Sequence, residues 1–167
     1  MRFQILVVAA FLACSCGGST SADKNDAPFE PKSTSAFLNY LGGDVFIQMT
    51  EQDPKAIAYS HRPRSVHIIA PLIDTAKNPN GTYKLIKATE DTKLPADVAT
   101  LRVLEYGILP RVFQVKSGTM KMGPVEDSGV NNFGFTLHLD AIVEDPVDGA
   151  PDMHIQGDFQ VDVNGIS

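Results

Sequence analysis

His138, Asp140, His154 and Asp158 are the residues whose types and spacing best suit chemistry. They sit at even positions of the stretch 133–163, whose odd positions carry Phe135, Leu137, Leu139, Ala141 and Val143, then Met153, Ile155, Phe159, Val161 and Val163. A strand turns alternate side chains to opposite faces, so this pattern predicts a long β-hairpin with one buried face. The other face would show Thr136, His138 and Asp140 on the first strand and His154, Gln156, Asp158, Gln160 and Asp162 on the second. If Val143 lies opposite Met153, His138 faces Asp158 and Asp140 faces Gln156, with Cβ atoms about 5 Å apart. His138, Asp140 and Asp158 so placed suit a divalent metal; with His154 they suit the acid–base work of a His-Asp hydrolase. The plainer expectation is a solvated sheet face, because a metal needs three or four converging ligands and a one-residue slip exchanges the two faces.

Other clusters carry their own chemistry. His61-Arg62-Pro63-Arg64 is a basic loop whose arginines could clamp a carboxylate or phosphate, which makes His61, Arg62 and Arg64 candidate ligand-binding residues. Glu144, Asp145, Asp148 and Asp152 crowd the hairpin turn with oxygen ligands of the kind calcium takes, but not at the spacing of an EF-hand loop, so a solvated acidic turn is the simpler expectation. His67, between Val66 and Ile68, is expected to be a paired sheet histidine. Met120 and Met122 flank Lys121 as core filling before they suggest soft-metal binding. Asn80-Gly81-Thr82 fits a glycosylation acceptor but also a plain turn. The sequence holds no Gly-x-Ser-x-Gly elbow, no phosphate-binding Gly-Lys loop, no His-Glu-x-x-His and no cysteine after Cys16. No tryptophan is present, leaving Tyr40, Tyr59, Tyr83 and Tyr106 as the amphipathic aromatics. No enzyme class is specified, and no cofactor is called for beyond that metal option.

The elements that must position these residues are short strands. Val45, Ile47 and Met49 alternate after Gly42-Gly43-Asp44, which predicts a hairpin with the apolar run 37–41; a short amphipathic helix through Phe37, Tyr40 and Leu41 competes for that run. Further strands are expected at 55–60, 65–70, 82–86, 101–106 and 111–116, with loops at 90–100 and 123–132. Asn78-Pro79-Asn80-Gly81 marks a turn. The parity of Phe113 and Val115 changes to that of Met120 and Met122, which predicts a β-bulge at Ser117-Gly118. Strand signals about every ten residues, with no long helical pattern, predict an all-β fold, an antiparallel β-sandwich with a small antiparallel β-barrel as the alternative.

The N-terminus explains the two cysteines, Cys14 and Cys16. Arg2 precedes an apolar run of about eleven residues, too short to span a bilayer as a helix but long enough for a signal peptide. Phe11-Leu12-Ala13-Cys14 resembles the lipobox of bacterial lipoproteins, with Cys16 as a competing site. The resemblance implies a signal peptide at 1–13, cleavage before a lipidated Cys14, and a membrane anchor; Ser15 after it implies the outer rather than the inner membrane. Residues 14–35, polar and small except for Phe29, are expected to tether a domain at 36–167. Gly81-Thr82-Tyr83, Ser117-Gly118-Thr119 and Gly157-Asp158-Phe159 resemble small β-sandwich lipoproteins of unknown function from bacterial envelopes, a group that lends no catalytic residues.

The 167 residues suffice for one domain with a real core. Twenty acids against 14 bases give a net charge of −6 without a basic cluster large enough for a nucleic-acid backbone. The expectation is a lipid-anchored binding or interaction module at the cell envelope, its partner an unknown protein or small molecule. A metal-dependent or His-Asp hydrolase using His138, Asp140, His154 and Asp158 is one alternative, and a structural component pairing through an exposed strand edge is another.

Overall fold

A computed structural model of the protein describes residues 28–39, 43–53, 55, 62–72, 77–88, 93–124, 126–129, 132–147 and 151–163. Nine strands appear among them: β1 (Ser33–Asn39), β2 (Asp44–Thr50), β3 (Arg64–Pro71), β4 (Thr82–Ile86), β5 (Val98–Glu105), β6 (Arg111–Met122), β7 (Glu126–Gly129), β8 (Asn132–Glu144) and β9 (Met153–Val163). The all-β expectation holds. β1–β2–β3–β5–β6–β8–β9 follow one another around a single sheet, and β9 returns to β1, so the sheet closes into a ring of sandwich or barrel-like form. Closure leaves few unpaired strand edges, which is how antiparallel sheets avoid edge-to-edge association. Every pairing is antiparallel except β4–β5 and β1–β9.

Alternation decides what is inside. Val45, Ile47 and Met49 on β2, Val66, Ile68 and Ala70 on β3, and Leu101 and Val103 on β5 point into one core. They meet Met120 and Met122 on β6 and the odd positions of β8 and β9, so both methionines are core filling. Each fully buried Leu, Ile, Val or Met side chain contributes about 1.5–3 kcal/mol relative to exposure. Tyr83 is wholly buried on β4, its hydroxyl donating to the Pro71 carbonyl at 3.1 Å. Burial raises the pKa of that phenol.

The β1–β2 hairpin forms as expected, with Phe37 in a strand rather than a helix. Tyr40 and Leu41 lie outside the described residues, as do Tyr59 and most of the strand expected at 55–60. Two loops are shorter than expected. Val98, Ala99 and Thr100 join β5 because β4 pairs with them in parallel, burying Ala99 and Thr100, and residues 126–129 form β7 against the start of β8. Local polarity hid both strands: β5 gains its first residues from a parallel partner in another part of the chain, and β7 is the short polar arm of a tight hairpin with β8.

The folded body starts before residue 36. Phe29 is 5% exposed and meets the Phe159 ring edge-on at 5.9 Å, and Lys32 N–H donates to the Thr50 carbonyl at 2.7 Å. Burying one aromatic ring fixes the strap that leads into β1. No helix among the described residues is long and apolar enough to cross a membrane.

Candidate functional site: paired histidines and aspartates on the outer face of β8 and β9

The hairpin register is the one the alternation requires. Val143 lies opposite Met153, His138 opposite Asp158, and Asp140 opposite Gln156. Two glycines set the local shape. Gly118 enters the β6 bulge with φ +153°, and a Cβ there would lie 2.4 Å from the Asp140 carbonyl oxygen. At Gly157, with φ +156°, the inward position has no side chain, and the Phe159 ring folds over it.

On the outer face His138 Nδ1 contacts Asp158 Oδ1, and His154 Nε2 lies 2.7 Å from Asp140 Oδ1. The second pair is diagonal, since His154 stands opposite Ile142. Beside them Thr136 Oγ1 donates to Gln160 Oε1 at 3.3 Å. β6 and β4 extend the rung outward, with Lys121 opposite His138 and Thr82 opposite Lys121. Asn78, fully paired, holds the start of β4: its side chain accepts from Thr82 N–H at 3.1 Å and donates to the Thr82 and Ala96 carbonyls. A hollow of about 640 Å³ opens over Thr119, Lys121, His138, Asp140, Gln156 and Asp158.

The metal set expected at His138, Asp140 and Asp158 does not converge. His138 takes Asp158 while Asp140 takes His154, and no three His, Cys, Asp or Glu side chains among the described residues gather as metal ligands. The diagonal reach of His154 divides the carboxylates between two imidazoles. Each pair is a hydrogen-bonded contact between side chains 50–71% exposed. Such pairs orient a ring well and stabilise the fold little, by about 0.2–1 kcal/mol. Asp158 holds His138 by Nδ1, leaving Nε2 to meet a partner, and Asp140 holds His154 by Nε2, leaving Nδ1. Among the described residues no hydroxyl is hydrogen-bonded to either ring.

The basic loop does not form an anion clamp. Arg64 is 6% exposed and bound to Glu51 through Nε at 2.9 Å and Nη2 at 2.5 Å. It also donates to the Pro28 carbonyl and lies over the Phe29 ring, 5.7 Å from its centroid. Arg64 therefore fastens the N-terminal strap to the end of the core. Arg62 meets Glu105 at 3.3 Å, and His61 lies outside the described residues. Sequence reading missed Glu51, whose place in a turn disguised a carboxylate aimed inward.

The acidic turn is neutralised by cations rather than open to calcium. Asp145, buried, accepts from Arg111 Nη2 at 2.7 Å and from Val147 N–H at 2.9 Å. Lys116 meets Asp152 at 2.8 Å, and Lys87 meets Glu144 at 3.2 Å. The hydrogen bond to Asp152, and then its charge, hold the Lys116 ammonium above its ordinary pKa. Asp148 lies outside the described residues. His67 is half-buried and only half paired: its Nε2 lies 3.1 Å from Ser65 Oγ, while its buried Nδ1 has no hydrogen-bond partner among the described residues.

The class these features define is an all-β ring with a buried apolar interior and an open, paired-polar outer hairpin face. The chain matches no family model, no curated protein and no solved structure.

Proposed function

We propose that the protein is a lipid-anchored module of the bacterial cell envelope that binds a partner, and that the outer face of β8 and β9 is the surface it presents. The observation that carries this is the pair of His–Asp contacts, held in register beside Lys121 and Gln156 over an open hollow. Orientation without enclosure suits recognition: each imidazole is aimed by its carboxylate and keeps one nitrogen for a partner's donor or acceptor. Hydrolysis would ask more of the same residues, namely a positioned nucleophile and donors for a developing oxyanion. The one feature favouring that second reading is His138, whose carboxylate partner on Nδ1 leaves Nε2 in the attitude of a general base.

The anchor rests on Ala13-Cys14 after the apolar run, and it would bring the hairpin face within reach of envelope proteins. A photo-crosslinking residue in place of Gln156, compared with one in place of the fully exposed Ile108, tests the surface. A discrete envelope adduct is expected from position 156 alone, and it should disappear in His138→Gln/His154→Gln. Equal adducts from both positions, or an adduct indifferent to the two histidines, would refute the assignment.

A further inference from the structure

A second outward-facing surface lies on β2, β3, β5 and β6, where the strands turn an unusual mixture to solvent. Phe46 stands opposite Ile69, and Ile69 opposite Thr100; one rung along, His67 stands opposite Arg102, and Arg102 opposite Gln114. With Val112 and Ala88 these side chains line a hollow of about 340 Å³. Its floor is the Phe46 ring meeting the His67 ring edge-on at 5.7 Å. Ile69 and Val112 form its rim, 41% and 43% exposed although the core has no use for them.

Arg102 distinguishes this hollow from an apolar patch. The other arginines among the described residues are each bound to a carboxylate, Arg62 to Glu105, Arg64 to Glu51 and Arg111 to Asp145. Arg102 has no such partner among the described residues, and none of the described residues lining the hollow is acidic. In a chain of net charge −6, a guanidinium with no carboxylate partner among the described residues, set beside two aromatic rings and two aliphatic side chains, suits an anion with an apolar body. Burial, and then the charge of Arg102, lower the His67 pKa, so the imidazole is neutral near pH 7 and Arg102 supplies the charge of the hollow. The volume falls at the small end of ligand pockets, which run from about 300 Å³ upward.

We propose that this hollow binds a small carboxylate with an apolar body, the carboxylate on Arg102 and Gln114 and the hydrocarbon against Phe46, Ile69 and Val112. The site shares no residue with the hairpin face, so the two assignments stand or fall separately.

Benzoate is the probe, titrated into the full chain while NMR follows the amides of Ile69, Arg102 and Val112 and the His67 ring proton. Saturable shifts confined to these residues are expected in the millimolar range appropriate to a ligand of this size. Bound benzoate should also raise the His67 titration midpoint by cancelling the field of Arg102. Arg102→Gln should weaken binding at least about tenfold, and benzyl alcohol, which lacks the charge, should bind at least about tenfold more weakly than benzoate. Val112→Glu, at the exposed rim where folding is spared, should abolish binding by placing a carboxylate beside the ligand's own. Shifts that never saturate, benzoate affinity unchanged in Arg102→Gln, or equal affinity for benzyl alcohol would each overturn the proposal.

Discussion

Gly118→Ala should be among the most costly single-methyl changes this fold can suffer. The new Cβ would lie 2.4 Å from the Asp140 carbonyl oxygen, 2.7 Å from Ala141 Cα and 3.2 Å from Ala141 Cβ. The first two are backbone atoms of the neighbouring strand, so no side-chain rotation relieves them. Two penalties add. Holding an L-residue at φ +153° costs about 1–3 kcal/mol, and forcing a methyl into a packed interface costs about 1–3 kcal/mol more. A loss of about 2–6 kcal/mol is therefore expected, a large share of the roughly 5–15 kcal/mol typical of a domain. Gly43→Ala is the matched control. Gly43 has φ +71°, but a methyl added there would meet nothing within 4 Å, leaving only the roughly 1–2 kcal/mol cost of the left-handed backbone. Urea unfolding followed by circular dichroism gives both values, and the ordering is the test. A Gly118→Ala loss no larger than that of Gly43→Ala would mean that β6 and β8 do not approach as described at the bulge, and the placement of Asp140 would fall with it.

Other perturbations test other parts of the molecule. Arg64→Met should cost about 3–5 kcal/mol, read as a lowered Tm, because it takes the cation from the Glu51 carboxylate, leaving it only the backbone N–H groups of residues 64 and 30, and frees the strap at Phe29; a change under about 1 kcal/mol would place the strap's hold elsewhere. His67, whose folded pKa lies below its ordinary 6.5, gives a pH dependence of fixed sign. The unfolded chain binds the proton first as pH falls through 6.5, so stability is present above that value and is lost on acidification towards the folded pKa. His67→Gln should flatten that part of the pH–stability curve, and an unchanged slope would assign the loss to other groups. Cys14→Ala should abolish the palmitate labelling and globomycin sensitivity of the wild type; labelling that persists would move the lipid to Cys16, and a wild type that takes no label would remove the anchor from the account.

The hairpin was legible because its signal is local: ten apolar odd positions and a Pro-Gly turn fix both the strands and, through the burial of one face, their register. The bulge at Ser117 was legible for the same reason, as a change of parity within one strand. What escaped depends on partners that no local pattern names. Ala99 and Thr100 are buried where β4 arrives alongside them in parallel, and the polar residues 126–129 become a strand by folding back on the start of β8. Arg64 looked like half of a surface clamp because it shares a basic loop with His61 and Arg62, whereas its partner Glu51 comes from the preceding turn thirteen residues away.

The candidate site divides along the same line. Alternation places His138, Asp140, His154 and Asp158 on one face, and the register places His138 against Asp158, so both follow from the sequence once the inward face is known. The pairing of Asp140 with His154 does not follow, because it crosses the ladder diagonally and depends on side-chain reach rather than on which residues stand opposite. That diagonal decides the chemistry. Had His154 turned away, Asp140 would have been left beside His138 and Asp158, and three ligands could have closed on one ion. Because it reaches back, each carboxylate is committed to a different imidazole, and the face becomes two oriented hydrogen-bonding groups open to solvent.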